Sequence, residues 1–135
     1  MKIEHVAFNV KDPVGITRWY VQHLGLRIVL QNPEPPYMTF LADDSGQVMI
    51  EIYCNPSDEV PDYARMNPLI LHLAFVSADP SADKTRLMEA GAELVSELHL
   101  SDGSHLVMLR DPWGLALQFC KRGKALLGSV SSTLP

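Results

Sequence analysis

The chain has 135 residues, 47% of them hydrophobic and 20% charged, with a formal net charge of −5. These values suit one globular domain with a real core. They argue against nucleic-acid binding, which needs a concentrated positive footprint, and no apolar run approaches the roughly 18 residues of a membrane helix. Lys121, Arg122 and Lys124 make the one basic knot and read as part of a solvated tail. Cys54 and Cys120 lack CxxC spacing, which rules out a zinc-knuckle or thioredoxin-like motif and predicts two reduced thiols. The first residues read directly as a strand with no basic-then-apolar leader, so the expected compartment is the cytosol.

In chain order, residues 2–10 alternate as a first strand. Asp12-Pro13 breaks it and starts a helix over 13–24, with Asp as cap and Pro in the first turn. Ile16, Trp19, Tyr20 and Leu24 fall on one face of that helix. Gly25 stops it. A strand is expected over 26–30. Gln31-Asn32-Pro33-Glu34-Pro35-Pro36 must be a loop, because so many prolines cannot pair in a central strand. Strands follow over 37–42 and 47–54, separated by the turn residues Asp43-Asp44-Ser45-Gly46.

Residues 55–69, with Pro56, Pro61 and Pro68, read as a linker. The second half then runs the same course. A strand over 70–77 leads to Asp79-Pro80 and a helix over about 81–90, and Gly91 follows. Strands are expected over 92–98, 104–110 and 115–121. Asp102-Gly103 and Asp111-Pro112-Trp113-Gly114 supply the turns between them. Residues 123–135 read as a loosely held tail or a partner contact.

The two halves are a repeat offset by 67 residues. Glu4-His5-Val6-Ala7-Phe8 answers to Leu71-His72-Leu73-Ala74-Phe75, Asp44 to Asp111, and Glu51 to Gln118, with a one-residue slip at Gly91. Strand side chains alternate faces. His5, Ala7 and Asn9 therefore share a face, as do Met49, Glu51 and Tyr53, His72 and Ala74, and Ala116, Gln118 and Cys120. Ile50, Ile52, Leu73, Phe75, Leu117 and Phe119 lie opposite, as the packing side for the helices. Two imidazoles and a carboxylate suit one divalent cation of the Zn²⁺, Ni²⁺, Mn²⁺ or Fe²⁺ kind, and an amide oxygen is a weaker, neutral fourth ligand.

These residues resemble the vicinal oxygen chelate superfamily, which includes glyoxalase I, the bleomycin- and fosfomycin-resistance proteins, extradiol dioxygenases and methylmalonyl-CoA epimerase. The resemblance spans residues 2 to about 122. It rests on Glu4-His5-Val6-Ala7-Phe8, Trp19-Tyr20 with Leu24-Gly25-Leu26, Met49-Ile50-Glu51-Ile52, His72-Leu73-Ala74-Phe75, and Asp111-Pro112-Trp113-Gly114 before Leu117-Gln118-Phe119. It implies an α+β fold: two tandem βαβββ modules, 2–54 and 70–121, whose curved mixed sheets enclose a central pocket. His5, Glu51, His72 and Gln118 fall on the family's four metal positions. The resemblance also implies a homodimer, a small-molecule partner and no membrane or nucleic-acid partner.

One position departs from the family. Glyoxalase I has Glu where Gln118 stands, and an amide cannot act as a carboxylate base. Extradiol dioxygenases also take a carboxylate ligand from the last strand. The epimerase combines two His, one Gln and one Glu, but with the Gln in the first half. Two readings follow. One is a metal-dependent lyase, isomerase or dioxygenase acting on a small molecule chelated through two adjacent oxygens, with Glu51 able to serve as base only if it leaves the metal. The other is a metal-free small-molecule or drug-binding protein like those conferring bleomycin resistance. Antibiotic modification of the fosfomycin type is a weaker third, lacking the last-strand carboxylate and a basic cluster.

Asn9, Tyr37, Phe40, Tyr53 and Cys120 are expected to line the pocket, with strand packing as the plain alternative for the aromatics. His23 reads as a surface cap near a helix end. His99 and His105 flank the Asp102-Gly103 turn and read as exposed. Arg110 reads as a surface ion-pair partner, with a grip on an anionic substrate as the functional alternative.

Overall fold

The structure is a computed structural model and describes residues 1–127; residues 128–135 of the expected tail lie outside the described residues. The chain divides into two compact units, Met1–Asp62 and the segment from Tyr63 onward.

The first unit contains β1 (His5–Asn9), α1 (Pro13–Leu24), β2 (Arg27–Gln31), β3 (Thr39–Ala42) and β4 (Met49–Tyr53). Its four-stranded sheet has the order β1-β4-β3-β2, with β1 and β4 parallel and the other pairs antiparallel. Asp12 caps α1 through its Oδ1, which accepts from the Gly15 N–H at 2.9 Å. Gly25 ends the helix at φ +72°, a left-handed conformation that costs glycine nothing. α1 packs on β2, β3 and β4. Ile16 and Tyr20 from the helix and Phe8, Leu41 and Ile52 from the sheet are buried. Each such side chain contributes about 1.5–3 kcal/mol of burial energy. β3 begins at Thr39, later than expected, because Tyr37 sits at φ +57° and cannot extend the strand. Its N–H donates to the Glu34 carbonyl at 2.7 Å instead.

The second unit contains β5 (Leu73–Val76), α2 (Pro80–Glu89), β6 (Glu93–His99), β7 (His105–Arg110) and β8 (Ala116–Lys121). The sheet order β5-β8-β7-β6 repeats the first, again with the first and last strands parallel. The register carries the 67-residue offset: Ala7 lies opposite Glu51, and Ala74 lies opposite Gln118. Asp79 caps α2 as Asp12 caps α1, accepting from Ser81 and Ala82 N–H groups at 3.1 Å. The slip at Gly91 has a local cause. α2 ends on Ala90 at an ordinary φ of −88°, and the left-handed turn is displaced to Gly91 at φ +96°. α2 packs on β6, β7 and β8. Leu87, Val107, Leu109 and Leu117 are fully buried. β5 is shorter than the expected 70–77, so His72 precedes the strand rather than lying within it.

The turn between β7 and β8 holds the start of the second unit. Asp111 Oδ1 accepts from the Trp113 and Leu115 N–H groups, both at 2.9 Å. Arg110 neither pairs on the surface nor is left to grip an anion through this fork. Its Nη1 donates to the Tyr63 carbonyl at 2.7 Å and the Gly114 carbonyl at 2.9 Å, and its Nη2 donates to the Met66 carbonyl at 2.7 Å. Bonds from a charged donor contribute about 1.5–3 kcal/mol each and do not add fully. Arg110→Ala is therefore expected to destabilise the protein by roughly 2–3 kcal/mol. Arg110→Lys should recover less than half, since an ammonium lacks the planar fork. Chemical denaturation of both variants checks this.

Candidate functional site

In the first unit, His5, Ala7 and Asn9 of β1, Met49, Glu51 and Tyr53 of β4, and Phe40 of β3 share one face of the sheet. The alternate residues Phe8, Ile52 and Leu41 form the buried side. His5 Nε2 lies 3.4 Å from Glu51 Oε2. The His5 and Phe40 rings meet edge to face at a centroid distance of 5.3 Å and an interplanar angle of 87°. The Glu51 side chain is 16% exposed and that of His5 35%, so a small ligand can reach both.

His5 Nδ1 is hydrogen-bonded to the Glu4 carboxylate. A carboxylate accepts, so Nδ1 carries a proton, and Nε2 is the ring nitrogen that faces Glu51. That hydrogen bond, first among the causes, raises the His5 pKa. Partial burial opposes the shift, and the charges of Glu4 and then Glu51 add to it.

Asn9 does not simply line this face. Its Oδ1 accepts from the Asn55 N–H at 2.9 Å and its Nδ2 donates to the Glu59 carbonyl at 3.5 Å. It braces the segment after β4. Tyr37 lies in the loop before β3, outside the set of residues that share the face by strand register.

In the second unit, His72 Nδ1 donates to the Pro68 carbonyl at 2.9 Å. A carbonyl oxygen only accepts, so this ring too carries its proton on Nδ1 and offers Nε2. Gln118 lies on β8 with Ala116 and Cys120 on the face opposite the buried Leu117 and Phe119. The Cys120 thiol donates to Gln118 Oε1 at 3.2 Å. Burial pushes the Cys120 pKa up, opposed by Arg122, and keeps sulfur in the S–H form that can donate. Among the described residues, no hydrogen bond joins His72 to Gln118. A groove of about 520 Å³ is lined by Ala74, Val76, Cys120, Leu126 and Leu127 among others.

A third group was not legible as a unit from the sequence. Glu97, His99 and His105 place one ligand atom each within 4.8 Å of one another. His105 was expected to be exposed, yet its side chain is only 12% exposed. It falls on the same face of β7 as the fully buried Val107 and Leu109. The available signal was register: His99 and His105 stand symmetrically about the Asp102-Gly103 turn and pair across it, and Glu97 is two residues back on the same face.

The profile of the Glyoxalase/Bleomycin resistance protein/Dioxygenase superfamily matches residues 2–119. No curated protein matches the chain. Among solved structures, it is similar to TnmS3, an antibiotic binding protein from Streptomyces sp. CB03234, with a TM-score of 0.69 and 18% identity over 90% of this chain and 96% of that one. It is also similar to a glyoxalase family protein from Enterococcus faecalis, with a TM-score of 0.66 and 25% identity over 89% and 97%. A lactoylglutathione lyase from Agrobacterium tumefaciens gives a TM-score of 0.63 and 22% identity over 87% and 91%. With the tandem βαβββ units and their matched registers, these findings establish that the chain belongs to the glyoxalase/bleomycin resistance protein/dioxygenase superfamily.

Proposed function

We propose that this protein is a divalent-metal-dependent enzyme of the lyase, isomerase or dioxygenase kind, acting on a small molecule that presents two adjacent oxygens. His5, Glu51, His72 and Gln118 hold the ion. The observation that supports this most is the state of the two histidines. Each ring hydrogen-bonds through Nδ1 to an oxygen, the Glu4 carboxylate or the Pro68 carbonyl, which leaves Nε2 as the nitrogen to ligate. Metal-ligating histidines are oriented in this way, by an outer acceptor on the second ring nitrogen. The 3.4 Å separation of His5 Nε2 and Glu51 Oε2 also suits two ligand atoms on one cation.

When bound, such an ion supplies Lewis acidity toward a chelated oxygen pair. The residues divide the remaining work. Glu51 brings the one negative charge of the set. The Cys120 S–H fixes the Gln118 amide with its oxygen already accepting. The Gln118 amide cannot take up a proton as a carboxylate base does, so proton movement falls to Glu51, in a state where it does not ligate, or to the substrate itself. Phe40 and Tyr53 form the apolar part of the face. We further place the active form as a homodimer.

Elemental analysis of protein purified without chelator and then reconstituted tests this reading. The expected result is about one equivalent removed by combined His5→Ala and His72→Ala substitution. Less than about a tenth of an equivalent assignable to these residues would overturn it. Tight binding of an aromatic drug-like molecule, unaffected by the same substitutions, would favour the metal-free binding protein instead.

A further inference from the structure

We propose that Glu97, His99 and His105 form a second cation site, for a first-row divalent ion of the Zn²⁺, Ni²⁺ or Cu²⁺ class, that clamps the turn end of the β6–β7 hairpin. The site lies on the α2 side of the second sheet, whereas Gln118 lies on the opposite face. It does not depend on the function proposed above.

Register brings the three residues together. His99 and His105 are direct cross-strand partners, and Glu97, opposite Val107, is two residues along on the same face. The imidazoles stack with centroids 4.0 Å apart and planes 18° from parallel. Both turn Nε2 toward the same oxygen: Glu97 Oε1 lies 2.8 Å from His105 Nε2 and 3.9 Å from His99 Nε2. The first distance is a hydrogen bond and the second is not.

Around a tetrahedral ion with metal–nitrogen bonds of about 2.0–2.1 Å, ligand atoms stand roughly 3.3 Å apart. The two measured distances bracket that value. His105 is 12% exposed and Glu97 23%, so packing holds both, while His99 is 71% exposed and can rotate to close the site. The cation takes the place of the proton shared by His105 and Glu97, and that proton passes to solvent.

Lys84 completes the arrangement. Its Nζ donates to the other carboxylate oxygen, Glu97 Oε2, at 2.5 Å, leaving Oε1 aimed at the rings. Lys84, ahead of His105, is also the main reason the Glu97 pKa is lowered. The ammonium opposes a second positive charge, which places this site below a buried zinc centre in affinity. The expected class is therefore an exchangeable clamp between two strands, with three protein ligands and a water position.

The test uses the full chain carrying His5→Ala and His72→Ala, which removes the two histidines of the other proposed set. Calorimetric titration with Zn²⁺ is expected to show one equivalent, and adding His99→Ala should weaken it at least tenfold. The exposure of His99 makes that substitution harmless to folding. Zn²⁺ should raise the Tm of the double variant and leave that of the triple variant unchanged. Equal Zn²⁺ affinity with and without His99, or no Zn²⁺ binding by the double variant, would overturn the proposal. If the function proposed above fails instead, wild-type protein will still bind one equivalent, and His99→Ala alone will weaken it at least tenfold.

Discussion

Gly114→Ala is expected to destabilise the protein by roughly 4 kcal/mol and to lower Tm by roughly 10 °C or more. Gly114 sits at φ +93°, which L side chains rarely adopt. A Cβ there would lie 2.6 Å from Ala64 N and 2.7 Å from both Ala64 Cα and Cβ. Two of those three atoms are backbone, so no rotamer change relieves the clash. The segment after Tyr63 would have to move away from the β7–β8 turn. That movement carries a second loss, because Arg110 binds the Tyr63 and Met66 carbonyls and the Gly114 carbonyl with one guanidinium. Strain and broken charged hydrogen bonds then act in the same direction. Thermal and denaturant unfolding check the prediction. A loss below about 1 kcal/mol would show that the 63–66 segment repacks at little cost.

Glu51→Gln is expected to weaken metal binding by roughly a hundredfold or more, with little change in stability. Glu51 supplies the only negative charge among His5, Glu51, His72 and Gln118, and it sits 3.4 Å from His5 Nε2. The amide keeps the shape and removes the charge, which separates electrostatics from packing. Glu4→Gln is expected to have a smaller effect, about tenfold, because it acts only by loosening the orientation of His5. Chelator competition measures both. Equal losses for the two variants would mean that Glu4 ligates, and no loss for Glu51→Gln would remove it from the set.

The two histidine pairs show how far a strand pattern carries. His5 and Glu51 were placed on one face by alternation alone, and they are neighbours because β1 and β4 pair in parallel with Ala7 opposite Glu51. The same step for His72 and Gln118 needed more. β5 starts only at Leu73, and His72 is oriented by the Pro68 carbonyl in the preceding turn. Nothing local in the sequence marks that bond. Arg110 makes the point more sharply: beside a turn it reads as a surface cation, but its partners are carbonyls 44 and 47 residues earlier. The Glu97, His99 and His105 group was half legible. The turn at Asp102-Gly103 predicts the hairpin, but the buried side of His105 depends on α2 lying over that face.

The sequence by itself determined the order of elements, the capped starts of both helices, the 67-residue repeat and the faces on which the polar residues lie. These follow from local rules: an Asp-Pro cap, a left-handed Gly, and a side-chain period of two along an extended strand. Only the tertiary structure decided which ring nitrogen of His5 and of His72 is hydrogen-bonded, what Arg110 and Asn9 hold, and that Glu97, His99 and His105 converge. Those outcomes depend on long-range partners whose positions are set by strand register and helix packing, and neither is encoded in the neighbouring residues.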